Sequence, residues 1–201
     1  MTNFLLTRVA LGFATALSAS ALLVTPVQAK IYEANLAAEA VGATGSGTAT
    51  LSIDELTNLM DIHVDFQGLS GNTTVSHIHG PTSNPLTGTA GVMTTTPTFL
   101  DFPAGVTSGT YSKILNLLDA TTYRAGFITA NGGTVPGARN AFLAALDGNK
   151  AYLNIHSTTF GGGEIRGFFV EKVPAPLPLL GVGAALGWSR RLRRRLAACA
   201  V

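Results

Sequence analysis

The pattern of apolar and polar positions predicts short strands for most of the chain. Residues 59–66 alternate most cleanly: Met60, Ile62, Val64 and Phe66 take one face, Leu59, Asp61, His63 and Asp65 the other. Residues 31–40, 48–53 and 110–117 alternate more loosely and also predict strands, with Gly- and Asp-containing turns between them. The stretch Val75-Ser76-His77-Ile78-His79 predicts a strand that stops at Gly80-Pro81. In a strand, positions i and i+2 share a face, so His77 and His79 project together and Ile78 points away. Residues 68–72 make a tight link whose spacing fits a hairpin between the 59–66 strand and the His-Ile-His strand. That pairing would bring His63 near His77.

Further along, residues 81–91 form a loop and 94–104 an irregular stretch with Phe99, Leu100 and Phe102 pinning it down. Asp119 is placed to cap a short helical turn over 120–129. Residues 136–146 predict the one substantial helix, with Pro136 in its first turn and Ala138, Phe142, Ala145 and Leu146 on one face. Residues 151–156 and 164–171 predict the last two strands. Glu164 and Arg166, at i and i+2, share a face there. About seven strands at this spacing predict an all-β, antiparallel sandwich with one or two short helical insertions.

Composition supports that class. The 201 residues include 23 glycines, and charged residues are 12% of the chain, which favours turn-rich β structure. The net charge of +2 conceals a segregation. From Lys30 to Lys172, seven basic residues stand against eleven acidic ones, leaving −4. A mildly acidic body gives no basic surface for nucleic acid. The single cysteine, Cys199, permits no disulfide within the chain.

The two ends predict export. Residues 1–29 have the form of a secretory signal: Arg8, then an apolar run to Val24, then Val27-Gln28-Ala29 as a small-x-small cleavage site after Ala29. At the other end, Val173-Pro174-Ala175-Pro176 precedes an apolar run over 177–188, and Arg190, Arg191, Arg193, Arg194 and Arg195 follow. As a helix, that run reaches roughly 18 Å, against a hydrocarbon core of about 30 Å. Arginines beyond an apolar run stay cytoplasmic. The chain thus divides into a signal (1–29), a body (30–172) and a tail (173–201), with helices expected at both ends. The tail resembles the bacterial PEP-CTERM sorting signal, with Ala175 where that family usually has Glu. The resemblance implies an exosortase-type processing enzyme as partner and transient contact with the membrane.

The body carries a second resemblance. His77-Ile78-His79-Gly80-Pro81, then Tyr152-Leu153-Asn154-Ile155-His156, then Gly163-Glu164-Ile165-Arg166-Gly167 resemble the chordin-type (CHRD) domain over roughly residues 31–171. The resemblance implies an Ig-like or Cu,Zn-superoxide-dismutase-like sandwich and leaves the activity open. The His-x-His strand itself is similar to the copper strand of that dismutase. No histidine lies between His79 and His156, however, and no cysteine pair exists. Only the sandwich therefore carries over.

Two function classes follow. An exported, non-enzymatic domain would act in binding, adhesion or structure at the cell envelope or in the extracellular matrix, and would need no cofactor. A metalloprotein or oxidoreductase would hold copper or zinc on His77, His79, His156 and His63, since neutral imidazole ligates both metals. Tyr152 and Asn154 share the face of His156 and are candidate hydrogen-bond partners for it. No catalytic set is complete: there is no Gly-x-Ser-x-Gly elbow, and Glu164 beside Arg166 is a lone carboxylate without a close second one.

Overall fold

The computed structural model describes residues 29–173. The strands are β1 (Lys30–Ala38), β2 (Ser46–Asp54), β3 (Leu59–Gln67), β4 (Thr73–His79), β5 (Gly109–Asn116), β6 (Tyr152–Ser157), β7 (Ile165–Phe168) and β8 (Val170–Glu171). A 3₁₀ turn at Ala120–Thr122 and two helices, α1 (Ala125–Ala130) and α2 (Val135–Asp147), lie between β5 and β6. The expected signal segment, and the tail from Pro174 through Ala175, Pro176 and the five arginines, lie outside the described residues.

The strands make one antiparallel sheet in the order β4-β6-β7-β1-β2-β3-β5, with β8 also paired to β1. The sheet curls so that its inner faces enclose the core, the sandwich-like all-β fold that the strand pattern predicts. Alternation decides what goes inside. Tyr32, Ala34 and Leu36 of β1, Ala49, Leu51 and Ile53 of β2, and Met60, Ile62, Val64 and Phe66 of β3 are all buried, and the polar residues between them face out. The helix α2 starts where expected. Thr134 caps it, its hydroxyl accepting from the Gly137 N–H at 3.2 Å. Its apolar face buries Ala138, Phe142, Leu143, Ala145 and Leu146. At its far end Asp147 accepts from the Tyr32 hydroxyl and from Lys30, tying α2 to β1.

The expected hairpin between β3 and β4 does not form. Both edges of β3 are taken along its length, by β2 from Ser46↔Gln67 to Asp54↔Leu59 and by β5 from Leu59↔Asn116 to Phe66↔Gly109. With no edge left on β3, β4 pairs with β6 at the other end of the sheet. The link 68–72 crosses between these regions. It is pinned by buried Leu69 and by the Ser70 N–H, which donates to the buried Glu164 carboxylate. The last expected strand is also interrupted. Phe169 turns into the core and its N–H bonds to Ala151 O, which separates β7 from β8.

The second edge of β4 is covered by the irregular segment that follows it. Met93 N–H donates to Ile78 O at 2.9 Å, and Gly105 N–H to Thr73 O at 2.9 Å. Threonine hydroxyls stand in for missing backbone partners: Thr94 Oγ1 accepts from Ile78 N–H and Thr98 Oγ1 from Ser76 N–H, both at 3.0 Å. Phe99 and Phe102 anchor this segment in the core as expected, whereas Leu100 is exposed. Among the described residues, no helix is long and apolar enough to cross a membrane.

Candidate metal centre

Strand β6 is buried on both faces. Leu153 and Ile155 point into the core, while Tyr152, Asn154 and His156 point to the other face and are covered there by loops. The β4–β6 register sets His77 opposite Asn154 and His79 opposite Tyr152. His77, His79 and His156 therefore converge, with ring centroids 5.5 to 6.0 Å apart. One ring nitrogen from each lies within 4.8 Å of the others. The three residues are largely buried, at 6%, 9% and 9% exposure.

Each histidine is held by a backbone carbonyl, two from the β4–β5 connection and one from the β6–β7 connection. His77 Nε2 bonds Pro97 O, His79 Nδ1 bonds Ala90 O at 3.0 Å, and His156 Nδ1 bonds Gly161 O at 2.9 Å. A carbonyl only accepts, so each of these nitrogens carries the proton and donates it. In a neutral imidazole the other nitrogen is then a bare lone pair. Those atoms are His77 Nδ1, His79 Nε2 and His156 Nε2, all buried and without a hydrogen-bond partner among the described residues. Burial also favours the neutral form. It holds the His77 imidazole down at about 4 and pushes His79 in the same direction, with neighbouring His156 adding to both.

Three buried lone pairs in one cluster of rings are unfavourable as they stand, because buried acceptors without donors lose their hydration uncompensated. They are also the donor set of a three-imidazole metal site. In such sites the second ring nitrogen of each ligand commonly donates to a carbonyl or carboxylate, which sets its tautomer and orientation.

A second shell locks this geometry. The rings of Tyr152 and His79 stack at 5.0 Å with planes 9° apart. Arg166 covers the Tyr152 ring, its guanidinium carbon 5.2 Å from the centroid. Its Nη1 donates to Gly88 O at 3.0 Å and pairs with Glu39 at 3.1 Å. Ala90 N–H donates to the Tyr152 hydroxyl at 3.2 Å. The loop over 81–91 is thereby tied down beside His79. Tyr152 thus supports His79 rather than bonding His156. Asn154 bonds neither: its backbone carbonyl accepts from Ser76 Oγ at 3.0 Å.

Glu164 and Arg166 go separate ways. Arg166 takes Glu39, whereas Glu164 is buried against the 68–72 link. Burial opposes the Glu164 charge, but hydrogen bonds from Ser157, Ser70 and Gly71 outweigh it and hold the carboxyl below its usual range.

His63 does not join the cluster. It faces outward on β3, five strand positions from β4, or about 24 Å along the sheet at a spacing of about 4.8 Å. There it is half exposed, bonded to Ser112 Oγ at 2.6 Å and to Asp65 at 2.9 Å.

Every residue of this site falls inside one recognised domain. The model of the CHRD domain matches residues 27–169. The chain belongs to the CHRD domain family. No curated protein and no solved structure matches it. The CHRD assignment thus covers β1 to β7 and all three converging histidines, while the PEP-CTERM resemblance concerns residues beyond the match.

Proposed function

We propose that this CHRD-domain protein is exported and that its body is a binding module built around one copper or zinc ion held by His77, His79 and His156. The observation that carries the reading is the convergence of three buried histidines, a ring nitrogen of each within 4.8 Å of the others, each ring held by a carbonyl at one nitrogen and bare at the other. Neutral imidazole suits both metals. The role is binding rather than catalysis, at the envelope or in the extracellular matrix, since the site brings no acid–base pair with it.

The test is elemental analysis of the purified protein after incubation with each metal and gel filtration. One ion per chain is expected, lost in His77→Ala, His79→Ala and His156→Ala. Failure of both copper and zinc to bind stoichiometrically overturns the reading. A metal-free structural role is the competing one, favoured by the way the three histidines pin the β4–β5 and β6–β7 connections. It predicts that His→Ala variants lose stability with no metal to lose.

The tail belongs to the same proposal. Val173 is exposed just beyond β8, and Pro174 and Pro176 bar continuation of the sheet. From Val173 on, the chain is a sorting unit, handled in the membrane by an exosortase-type enzyme and then removed. Mass spectrometry of the mature protein is expected to end near Pro176. Recovery of peptides through Arg195 from most surface-located molecules would leave a plain membrane anchor instead.

A further inference from the structure

We infer that the three-histidine centre selects monovalent copper, Cu(I), over Zn(II) and Cu(II). The inference rests on the metal reading above and adds the oxidation state. Its basis is charge. The grouped ligand atoms are three neutral imidazole nitrogens, with no carboxylate or thiolate oxygen or sulfur among them. Their protonated partners bond to neutral carbonyls, of Pro97, Ala90 and Gly161, rather than to carboxylates. A carboxylate there would raise ligand basicity and favour a dication.

The charged groups around the site do not supply the missing anion. Arg166 lies over Tyr152, which stacks on His79. Glu39 pairs with Arg166, whereas Glu164 keeps its charge among neutral donors, Ser70, Ser157 and Gly71. One oxygen of each carboxylate is buried without a partner among the described residues, and neither carboxylate is among the grouped ligand atoms. The three residues expose only 6% to 9% of their surface. Desolvating an ion costs energy that rises with the square of its charge, so a dication costs about four times as much to bury as a monocation. A dication would need to bring its own anion or hydroxide into a largely buried site. A cuprous ion satisfies three nitrogens with one charge.

The experiment uses the purified full chain, stripped of metal. Under anaerobic conditions Cu(I) is titrated against bicinchoninate as competing probe. Zn(II) and Cu(II) are titrated against chelators of known affinity at the same pH. Expected is one Cu(I) per chain, bound at least about 100-fold more tightly than either dication. Two variants change the charge without removing a ligand. Asn154→Asp places a carboxylate opposite His77, and Arg166→Gln removes the nearby cation. Each is expected to narrow the Cu(I) preference by about tenfold, and the second keeps the test alive if the first fails to fold. Zn(II) or Cu(II) binding as tightly as Cu(I) overturns the inference while the metal centre stands. An unchanged preference in a folded Arg166→Gln variant also overturns the charge argument. Binding of none of the three ions overturns both readings together.

Discussion

His79 lies flat against Tyr152, the two rings 5.0 Å apart and 9° from parallel. The contact follows from register, because the two residues face each other across the β4–β6 ladder. It fixes the plane of the imidazole while Ala90 O fixes its tautomer.

Tyr152 should therefore act on the site through His79. Tyr152→Phe keeps the stack and loses only the hydroxyl that accepts from Ala90 N–H, at a cost of about 1 kcal/mol in stability. Tyr152→Leu loses the stack as well. Metal affinity is expected to fall about 10- to 100-fold in Tyr152→Leu, the range for losing support of a ligand, and to change little in Tyr152→Phe. Equal affinities in the two variants, by competitive metal titration, would show that the stack does not position His79.

His63 is a candidate ligand by pattern, but its position sets it apart from the three converging histidines. Its partners Ser112 and Asp65 form a half-exposed network on the open face of the sheet, of a kind worth less than about 1 kcal/mol. His63→Ala should leave metal stoichiometry intact and lower the unfolding free energy by no more than that. Loss of metal in this variant would contradict the strand order.

The contrast between His63 and His77 shows what local pattern can carry. Alternation identifies β3 and its two faces, because burial on one side imposes a period of two on Met60, Ile62, Val64 and Phe66. The amphipathic face of α2 is legible for the same reason. Pattern does not say which strands are neighbours. A link of a few residues limits how far apart β3 and β4 can start, but pairing goes to whichever edges are free. Those of β3 are claimed by β2 and β5 from elsewhere in the chain. The i, i+2 histidines and the Tyr-x-Asn-x-His strand were visible as side chains. The groups that set the tautomers were not, since Pro97, Ala90 and Gly161 contribute backbone carbonyls that any residue would offer. Leu100 failed for a similar reason. Its carbonyl accepts from the Tyr111 hydroxyl while its side chain turns to solvent.

Gly163 is the glycine on which the second shell depends. Its φ is +131°, and a Cβ there would overlap the Glu39 carboxylate and the Asn154 amide. Glu39 would be displaced from Arg166, and Arg166 in turn from Gly88. Gly163→Ala should cost about 1–3 kcal/mol and weaken metal binding. Gly162→Ala, where a Cβ meets open space, should stay within about 0.5 kcal/mol. Chemical denaturation of the two variants side by side checks this. A Gly163→Ala protein as stable as Gly162→Ala would mean that Glu39 and Asn154 move aside freely.

The metal-free protein should lose stability as pH falls through the range where free histidine titrates. His77 is held at about 4 in the folded chain against an ordinary value of 6.5. Between those values the unfolded chain binds a proton at this residue and the folded chain does not. Unfolding takes up protons there, so stability is full above about pH 6.5 and declines toward pH 4. From pH 7.5 to pH 5, His77 alone accounts for about 2 kcal/mol, and His79, lowered for the same reason, adds to it. Stopping at pH 5 keeps most carboxylates out of the window. Urea unfolding with a chelator present, at pH 7.5, 6 and 5, measures the slope. His77→Gln should flatten it without changing its sign. A wild-type slope of zero would mean that the imidazoles accept protons in the folded chain and that their bare nitrogens are open to water. If copper or zinc binds as proposed, adding it should raise stability most at pH 7.5 and progressively less toward pH 5, because metal ligation requires deprotonated imidazole.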